Sequence, residues 1–245
     1  MNLPPDTLPS LPSQDDLELR LLLEAVFQHY GYDFRNYASS SLKRRMRKCL
    51  FDEGFETFSA FQERLLCDTD CFKRLLLTIS VNVTSLFRDP TFYRNLRAQI
   101  IPFLRTYPSL RIWIAGCATG EEAYSLAIIL KEEGLYDQSR IYATDINEAS
   151  LRKAKDGLFP LSVMQSYTAN YQLSGGTRAF SSWYTTDSDN AMLRAELKKN
   201  IVFAIHNLAT DGVFNEFHLY CTRLKFRLFV ERENRKKQRS ATRFF

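Results

Sequence analysis

Two glycines four residues apart, Gly116 and Gly120, separate an apolar run from a helical pattern: Ile112-Trp113-Ile114-Ala115 leads through Gly116-Cys117-Ala118-Thr119-Gly120 into Glu121-Glu122. Such a loop turns tightly and brings backbone N–H groups and a helix N-terminus against a bound ligand. The Gly-x-Gly-x-x-Gly spacing of a pyrophosphate cradle is absent, so the loop suits an adenosine site better than a dinucleotide one. Taken alone, it is equally an ordinary strand-to-helix turn. Asp145 adds a second point. It closes the next apolar run, 140–144, and at the carboxyl edge of a parallel sheet an acidic side chain accepts hydrogen bonds from ribose hydroxyls. Capping the following helix falls more naturally to Asn147, which frees Asp145 for a ligand.

The elements that must position these residues follow from periodicity. Residues 1–14, with Pro4, Pro5, Pro9 and Pro12, read as a flexible tail. A helix capped by Asp15 or Asp16 carries Leu17, Leu21, Leu22, Ala25 and Val26 at helical spacing and stops at Gly31. A second runs from Ser39 to Leu50, with the stripe Leu42, Met46, Cys49 and Leu50 and the cations Lys43, Arg44, Arg45, Arg47 and Lys48 around it. Two more, opening at Thr57 and at about residue 70, complete an all-helical domain over 15–80. Residues 81–110 are a linker and a connecting helix, 90–104. From 111 to 219 the pattern is strand, helix, strand, helix: 112–115, then 121–133, then 140–144, then a helix from Asn147 stopped by Gly157. That order implies a parallel, doubly wound sheet. Residues 162–199, around Gly175-Gly176 and 180–184, break the rhythm as a small β insertion. Strands resume at 200–205 and 216–219. The fold class is therefore α/β, Rossmann-like, behind a small all-helical N-terminal domain.

Bulk properties set limits. The 245 residues are 45% hydrophobic and 25% charged, ordinary for a soluble globular chain. No apolar run approaches the roughly 20 residues of a membrane helix, and the N-terminus lacks a signal peptide's basic and apolar regions. Membrane insertion is not expected, and the expected compartment is cytoplasmic. Five cysteines and three histidines include neither a Cys-x-x-Cys nor a His-x-x-x-His pairing, so no metal site is expected. The net charge of +5 is clustered at 43–48 and 223–243, which suits an acidic partner surface without specifying nucleic acid.

Four ordered motifs carry a resemblance. They are Asn82-Val83-Thr84-Ser85-Leu86-Phe87-Arg88-Asp89, the run from Ile112 through Gly116 and Glu121 to Ala127, Ala143-Thr144-Asp145-Ile146, and Asn200-Ile201-Val202-Phe203-Ala204 followed by His206-Asn207-Leu208. From about residue 15 to about residue 219 the chain resembles the CheR-type chemotaxis receptor methyltransferases. The resemblance implies a Rossmann-like S-adenosylmethionine-dependent methyltransferase domain and a helical domain meeting around the cofactor. It assigns Asn82, Thr84 and Arg88 to the methionine end, with Arg88 also the catalytic candidate. It assigns Glu121 to the amino group, Gly116 to the loop along the cofactor, Asp145 to the ribose, and Asn207 and Leu208 to the adenine. It implies methyl transfer to glutamate side chains of methyl-accepting chemotaxis proteins, leaving γ-methyl esters and S-adenosylhomocysteine. A carboxylate is already deprotonated at neutral pH, so no general base is needed. Lys43, Arg44, Arg47 and Lys48 would face the Glu-rich cytoplasmic helices of the receptor. A monomer is expected, and no nucleic-acid partner.

The chain departs from the family's pattern in two places. Ala123 stands where members carry Pro. From about Tyr220 the resemblance stops, where members continue with Cys-Arg-Asn-Val and an Ile-Tyr-Phe segment whose tyrosine lies near the transferred methyl. Residues 220–245 read as a divergent basic tail, the ending of a truncated or frameshifted methyltransferase, which would leave a sheet edge open. Two function classes remain: a protein-glutamate O-methyltransferase, or an S-adenosylmethionine-binding remnant or regulatory module without turnover. The helical domain and the linker motif argue against a small-molecule or nucleic-acid methyltransferase.

Overall fold

A computed structural model describes residues 13–35, 39–79, 84–208, 211–212, 214–222, 225–229 and 241–243, which fall into two compact units, 1–81 and 82–245. The expected tail lies outside the described residues up to position 12.

The first unit is helical. α1, Gln14–Tyr30, begins inside the expected tail, because Ser13 rather than Asp15 or Asp16 caps it. The Ser13 oxygen accepts the Asp16 N–H, and its hydroxyl donates to the Asp16 carboxylate at 2.6 Å. Both aspartates therefore sit in the first turn, at the positive end of the helix dipole. The buried stripe is Leu19, Leu22, Leu23 and Val26, rotated from the expected one, and Leu17 and Leu21 are exposed. α2, Ser39–Asp52, buries Leu42, Met46, Cys49 and Leu50, as the spacing predicts. α3, Phe58–Cys67, is capped by Thr57 and packs on α1; α4, Thr69–Ile79, packs on α2. The Tyr30 ring stacks on Phe72 with centroids 3.7 Å apart.

The second unit opens with α5, Pro90–Asn95, a π-helical turn, Leu96–Ile100, and α6, Ile101–Leu104. The expected single helix is thus divided, and Pro102, which has no N–H to donate into the preceding turn, accounts for the widened ladder. There follow β1, Leu110–Ala115; α7, Glu121–Glu132; β2, Ser139–Asp145; α8, Glu148–Asp156; β3, Leu158–Pro160; α9, Met164–Leu173; β4, Tyr184–Thr186; β5, Asn190–Leu193; α10, Ala195–Lys198; β6, Ile201–Ile205; β7, Leu219–Thr222; β8, Lys225–Phe229; and β9, Ala241–Arg243. The main sheet has the order β6-β2-β1-β7-β8-β9, its first four strands parallel, so the α/β reading holds. Ile112 and Ile114 of the central β1 are fully buried in the core that includes α7. That helix has no solvent face from Ala123 to Leu130, whereas the sequence placed only Ala123, Leu126, Ala127 and Leu130 inward. The opposite sheet face carries Trp113, packed with Phe217, Tyr142 and Tyr220.

Two boundaries differ from the sequence reading. The last parallel strand is 219–222 rather than 216–219, because Leu219 and Cys221 alternate inward against β1. Residues 220–222 and 225–229 are thus not a tail outside the sheet. β8 pairs antiparallel with β7 and covers the edge that the expected ending leaves open. The rest of 223–245, β9 apart, lies outside the described residues. The β insertion also starts earlier, since β3 is its edge strand in the antiparallel order β3-β5-β4. Its hairpin is β4–β5; residues 180–183 form a 3-10 turn. Among the described residues no helix is long and apolar enough to cross a membrane.

The insertion is tied to the sheet unit through Glu132, at the end of α7. Its buried carboxylate accepts from Arg97, from the Tyr171 hydroxyl and from the Thr177 N–H at 3.0 Å. Burial alone pushes this carboxyl up, but the Tyr171 and Arg97 bonds outweigh it and hold the group below the usual glutamate value. At Gly176 a Cβ would stand 2.3 Å from the Tyr171 ring, so only glycine lets the chain pass there. Glu132→Ala should therefore cost about 3 kcal/mol or more, because Arg97 is left buried with Glu133 as its remaining partner. Urea unfolding of the two chains measures it, and a cost below about 1 kcal/mol would contradict the assignment.

Candidate functional site

The loop between β1 and α7 is under backbone constraint. Gly116, Ala118 and Gly120 have φ of 77°, 49° and 93°, three left-handed residues within five. At Gly120 a Cβ would come within 2.9 Å of the Ala154 Cβ, so glycine serves both conformation and close packing on α8. At Gly116 a Cβ would meet nothing within 4 Å, which leaves this stretch of backbone open to approach. Ala118 has no such freedom and must be held. The Asp145 carboxylate holds it: Oδ2 accepts the Ala118 N–H at 2.8 Å, and Oδ1 accepts the Asn147 N–H at 2.8 Å. The Gly116 and Cys117 N–H groups both donate to the Thr144 C=O, at 2.8 and 2.9 Å. Asn147 caps α8, as expected, by accepting the Ser150 N–H.

Glu121 is the first residue of α7 and is 5% exposed. The Thr119 hydroxyl donates to its carboxylate at 2.6 Å. Burial pushes the Glu121 carboxyl above its usual value, and the Thr119 bond offsets part of that. Among the described residues no cation pairs with it. A buried carboxylate at a helix N-terminus with a hydroxyl as its partner has the chemistry to take a cationic ligand group. Glu122, also raised by burial, accepts the Cys221 thiol and ties α7 to β7.

The linker turn reaches the same helix. Asn82 lies outside the described residues. Thr84 is half-buried and Arg88 exposed. Between them Phe87 is fully buried with φ 53°, and its N–H donates to Ser125 Oγ at 2.9 Å. Asn170 donates to the Leu86 C=O at 3.2 Å, and Asp89 caps α5. At the sheet edge, the His206 N–H donates to the Asp145 C=O at 3.2 Å. Asn207, half-buried, begins the turn that follows; its N–H donates to Asp211 at 2.8 Å, and Leu208 is exposed. The fold thus gathers Gly116, Glu121 and Asp145 around one loop, with Asn207-Leu208 leaving from beside Asp145 and the turn of Thr84 and Arg88 bonded to α7. An open depression on the β insertion, lined by Thr185, Met192, Arg194 and Lys198, involves none of them.

The basic residues of α2 belong to the helical unit and are largely paired within it. Lys43 meets Asp16, Arg47 meets Asp15, and Lys48 meets Asp52. Arg45 donates to the Ile79 C=O at 2.7 Å, and Arg44 is exposed without a partner among the described residues. The sequence presented this run as unopposed positive charge; the first-turn aspartates of α1, with Asp52, supply the opposition. Sequence reasoning also missed Thr119, Ser125 and Phe87. The available signal for Ser125 was a hydroxyl inside the otherwise apolar stretch from Ala123 to Leu130; nothing local marks Phe87 as left-handed.

Comparison with known proteins bears on the same segments. The family profile described as "CheR methyltransferase, SAM binding domain" matches residues 82–236, past Tyr220, and that described as "CheR methyltransferase, all-alpha domain" matches residues 17–80. The chain is 48% identical over 208 residues to the Cher3 protein of Pseudomonas putida, covering 85% of this chain and 76% of that protein. It is 29% identical over 200 residues to the chemotaxis protein methyltransferase of Listeria innocua, covering 81% of this chain and 73% of the relative. Chemotaxis protein methyltransferase 2 of Pseudomonas aeruginosa is 33% identical over 132 residues, 53% of this chain and 46% of its own.

The raised Glu121 carboxyl sets a pH dependence. A cationic ligand group favours the ionised carboxylate, so affinity should rise with pH through the raised value and fall as the group protonates. S-adenosylhomocysteine affinity, titrated calorimetrically from about pH 8 down to about pH 5, should weaken, and Glu121→Gln should flatten the profile and weaken binding about tenfold or more. An unchanged profile in Glu121→Gln would remove Glu121 from the site.

Proposed function

Because the chain belongs to the CheR methyltransferase family, we propose that it methylates glutamate side chains of methyl-accepting chemotaxis proteins and forms glutamate γ-methyl esters. The observation that carries this reading is the buried Glu121 carboxylate, without a cation among the described residues, beside the Gly116–Gly120 loop and Asp145. The donor set fits S-adenosylmethionine. Glu121 suits its ammonium, Arg88 its carboxylate, Asp145 its ribose hydroxyls, and the open backbone at Gly116 tolerates close approach. The relatives named chemotaxis protein methyltransferases support the choice of substrate.

When bound, S-adenosylmethionine supplies a methyl group activated by a sulfonium. The protein's own part is placement. Glu121, held by Thr119, and Arg88, carried on the Phe87 turn, fix the two ends of the amino-acid portion, and Asp145 and Asn207 fix the nucleoside. An acceptor glutamate is ionised at neutral pH, so no side chain of the site has to remove a proton. Catalysis is then in-line positioning and electrostatic stabilisation. Receptor helices rich in glutamate would be drawn by the α2 face, led by Arg44, with Lys43, Arg47 and Lys48 released from Asp16, Asp15 and Asp52 on contact.

The direct assay incubates the protein with methyl-labelled cofactor and receptor cytoplasmic fragments and measures label released as methanol by base. Base-labile label is expected. Its absence, with S-adenosylhomocysteine binding intact by calorimetry, would refute turnover. Arg44→Glu combined with Arg47→Glu should raise the KM for the receptor fragment, most strongly at low salt, and leave cofactor affinity unchanged. An unchanged KM at low salt would remove α2 from receptor recognition.

A further inference from the structure

Ser125 stands where separate parts of the site meet. It is fully buried, one turn into α7. Its hydroxyl donates to the Glu121 C=O at 2.7 Å, an ordinary back-bond for a helical serine. The same oxygen accepts the Phe87 N–H at 2.9 Å across 38 positions of chain. Phe87 is buried and left-handed, φ 53°, a conformation that a bulky residue keeps only where its surroundings hold it. Arg88 is the next residue. A second bond on this turn comes from Asn170, which donates to the Leu86 C=O at 3.2 Å.

We propose that Ser125 is a positioning residue for the cofactor: it locks the left-handed Phe87 turn, and so the direction in which Arg88 leaves it, to the helix turn that begins with Glu121. One hydroxyl thereby fixes the spacing between the cation and the anion that receive the amino-acid portion of the ligand. Without the hydroxyl, the Phe87 N–H is left buried without a partner and the turn relaxes toward a right-handed conformation. The proposal rests on the assignment of Arg88 to the cofactor carboxylate made above.

Two ligands separate positioning from mere support of the helix. S-adenosylhomocysteine carries the amino-acid portion, and 5′-methylthioadenosine lacks it. Calorimetric titration of the full chain with each, for the natural sequence and for S125A, N170A, R88A and S125A/R88A, gives the comparison. S125A should weaken S-adenosylhomocysteine about tenfold and leave 5′-methylthioadenosine within about twofold. N170A, which frees the other side of the same turn from the half-buried face of α9, should shift the two ligands in the same unequal way and keeps the test open if S125A does not fold. In the R88A background, S125A should have no further effect. Equal weakening of both ligands, or no change in either, overturns the proposal. R88A that weakens S-adenosylhomocysteine while S125A and N170A do not fails this proposal alone; R88A that binds it normally fails the Arg88 assignment as well.

Discussion

The pair of backbone hydrogen bonds on the Asp145 carboxylate constrains everything around it. One oxygen holds the Ala118 N–H of a loop with three left-handed residues, and the other holds the Asn147 N–H that starts α8. The first bond stabilises a backbone that alanine resists; the second sets the angle at which the chain leaves β2. A carboxylate oxygen has two acceptor sites, so each retains one for a ligand hydroxyl. Asp145 is therefore part of the loop's architecture before it is part of any binding site. Substitution there would remove the shape of the loop together with the proposed ligand contact, which makes Asp145 a poor position at which to separate binding from folding.

The two glutamates that open α7 divide the work between the sheet and the loop. Glu122 turns to the sheet and takes the Cys221 thiol of β7. Glu121 takes the Thr119 hydroxyl of its own loop. Burial raises both carboxyls, so ionising either as pH rises costs the folded chain, and a cation placed at Glu121 relieves that cost. Since α7 is enclosed on every side from Ala123 to Leu130, the carboxylate at its start is fixed by the core and not by a mobile surface segment.

Much of this was legible in the sequence wherever one local rule dominates. Gly31 and Gly157 stop helices with positive φ, Thr57 and Asn147 cap them, and the change of period at residue 111 marks the sheet. The rules failed where two candidates compete or where the partner is distant. Ser13 outranks Asp15 and Asp16 as a cap because its hydroxyl both gives and accepts, and the buried stripe of α1, which packs on α3, lies away from Leu17 and Leu21. The π turn at 96–100 depends on a proline two positions beyond it. The loop and Asp145 could be named from spacing, but the Ser125–Phe87 bond joins residues 38 positions apart and no periodicity reports it.

The internal ion pairs between α1 and α2 bear on how long an acidic partner stays. Asp15 and Asp16, drawn into the first turn of α1 by the Ser13 cap, already occupy Arg47 and Lys43. On the proposed receptor surface an arriving glutamate would replace one of them, so an ion pair would be exchanged rather than added, and the displaced aspartate would remain tethered close by to reclaim its cation. Such competition shortens the dwell time of any one contact without removing the long-range attraction. A surface built this way favours repeated brief visits along an array of similar acidic sites over tight capture at a single one.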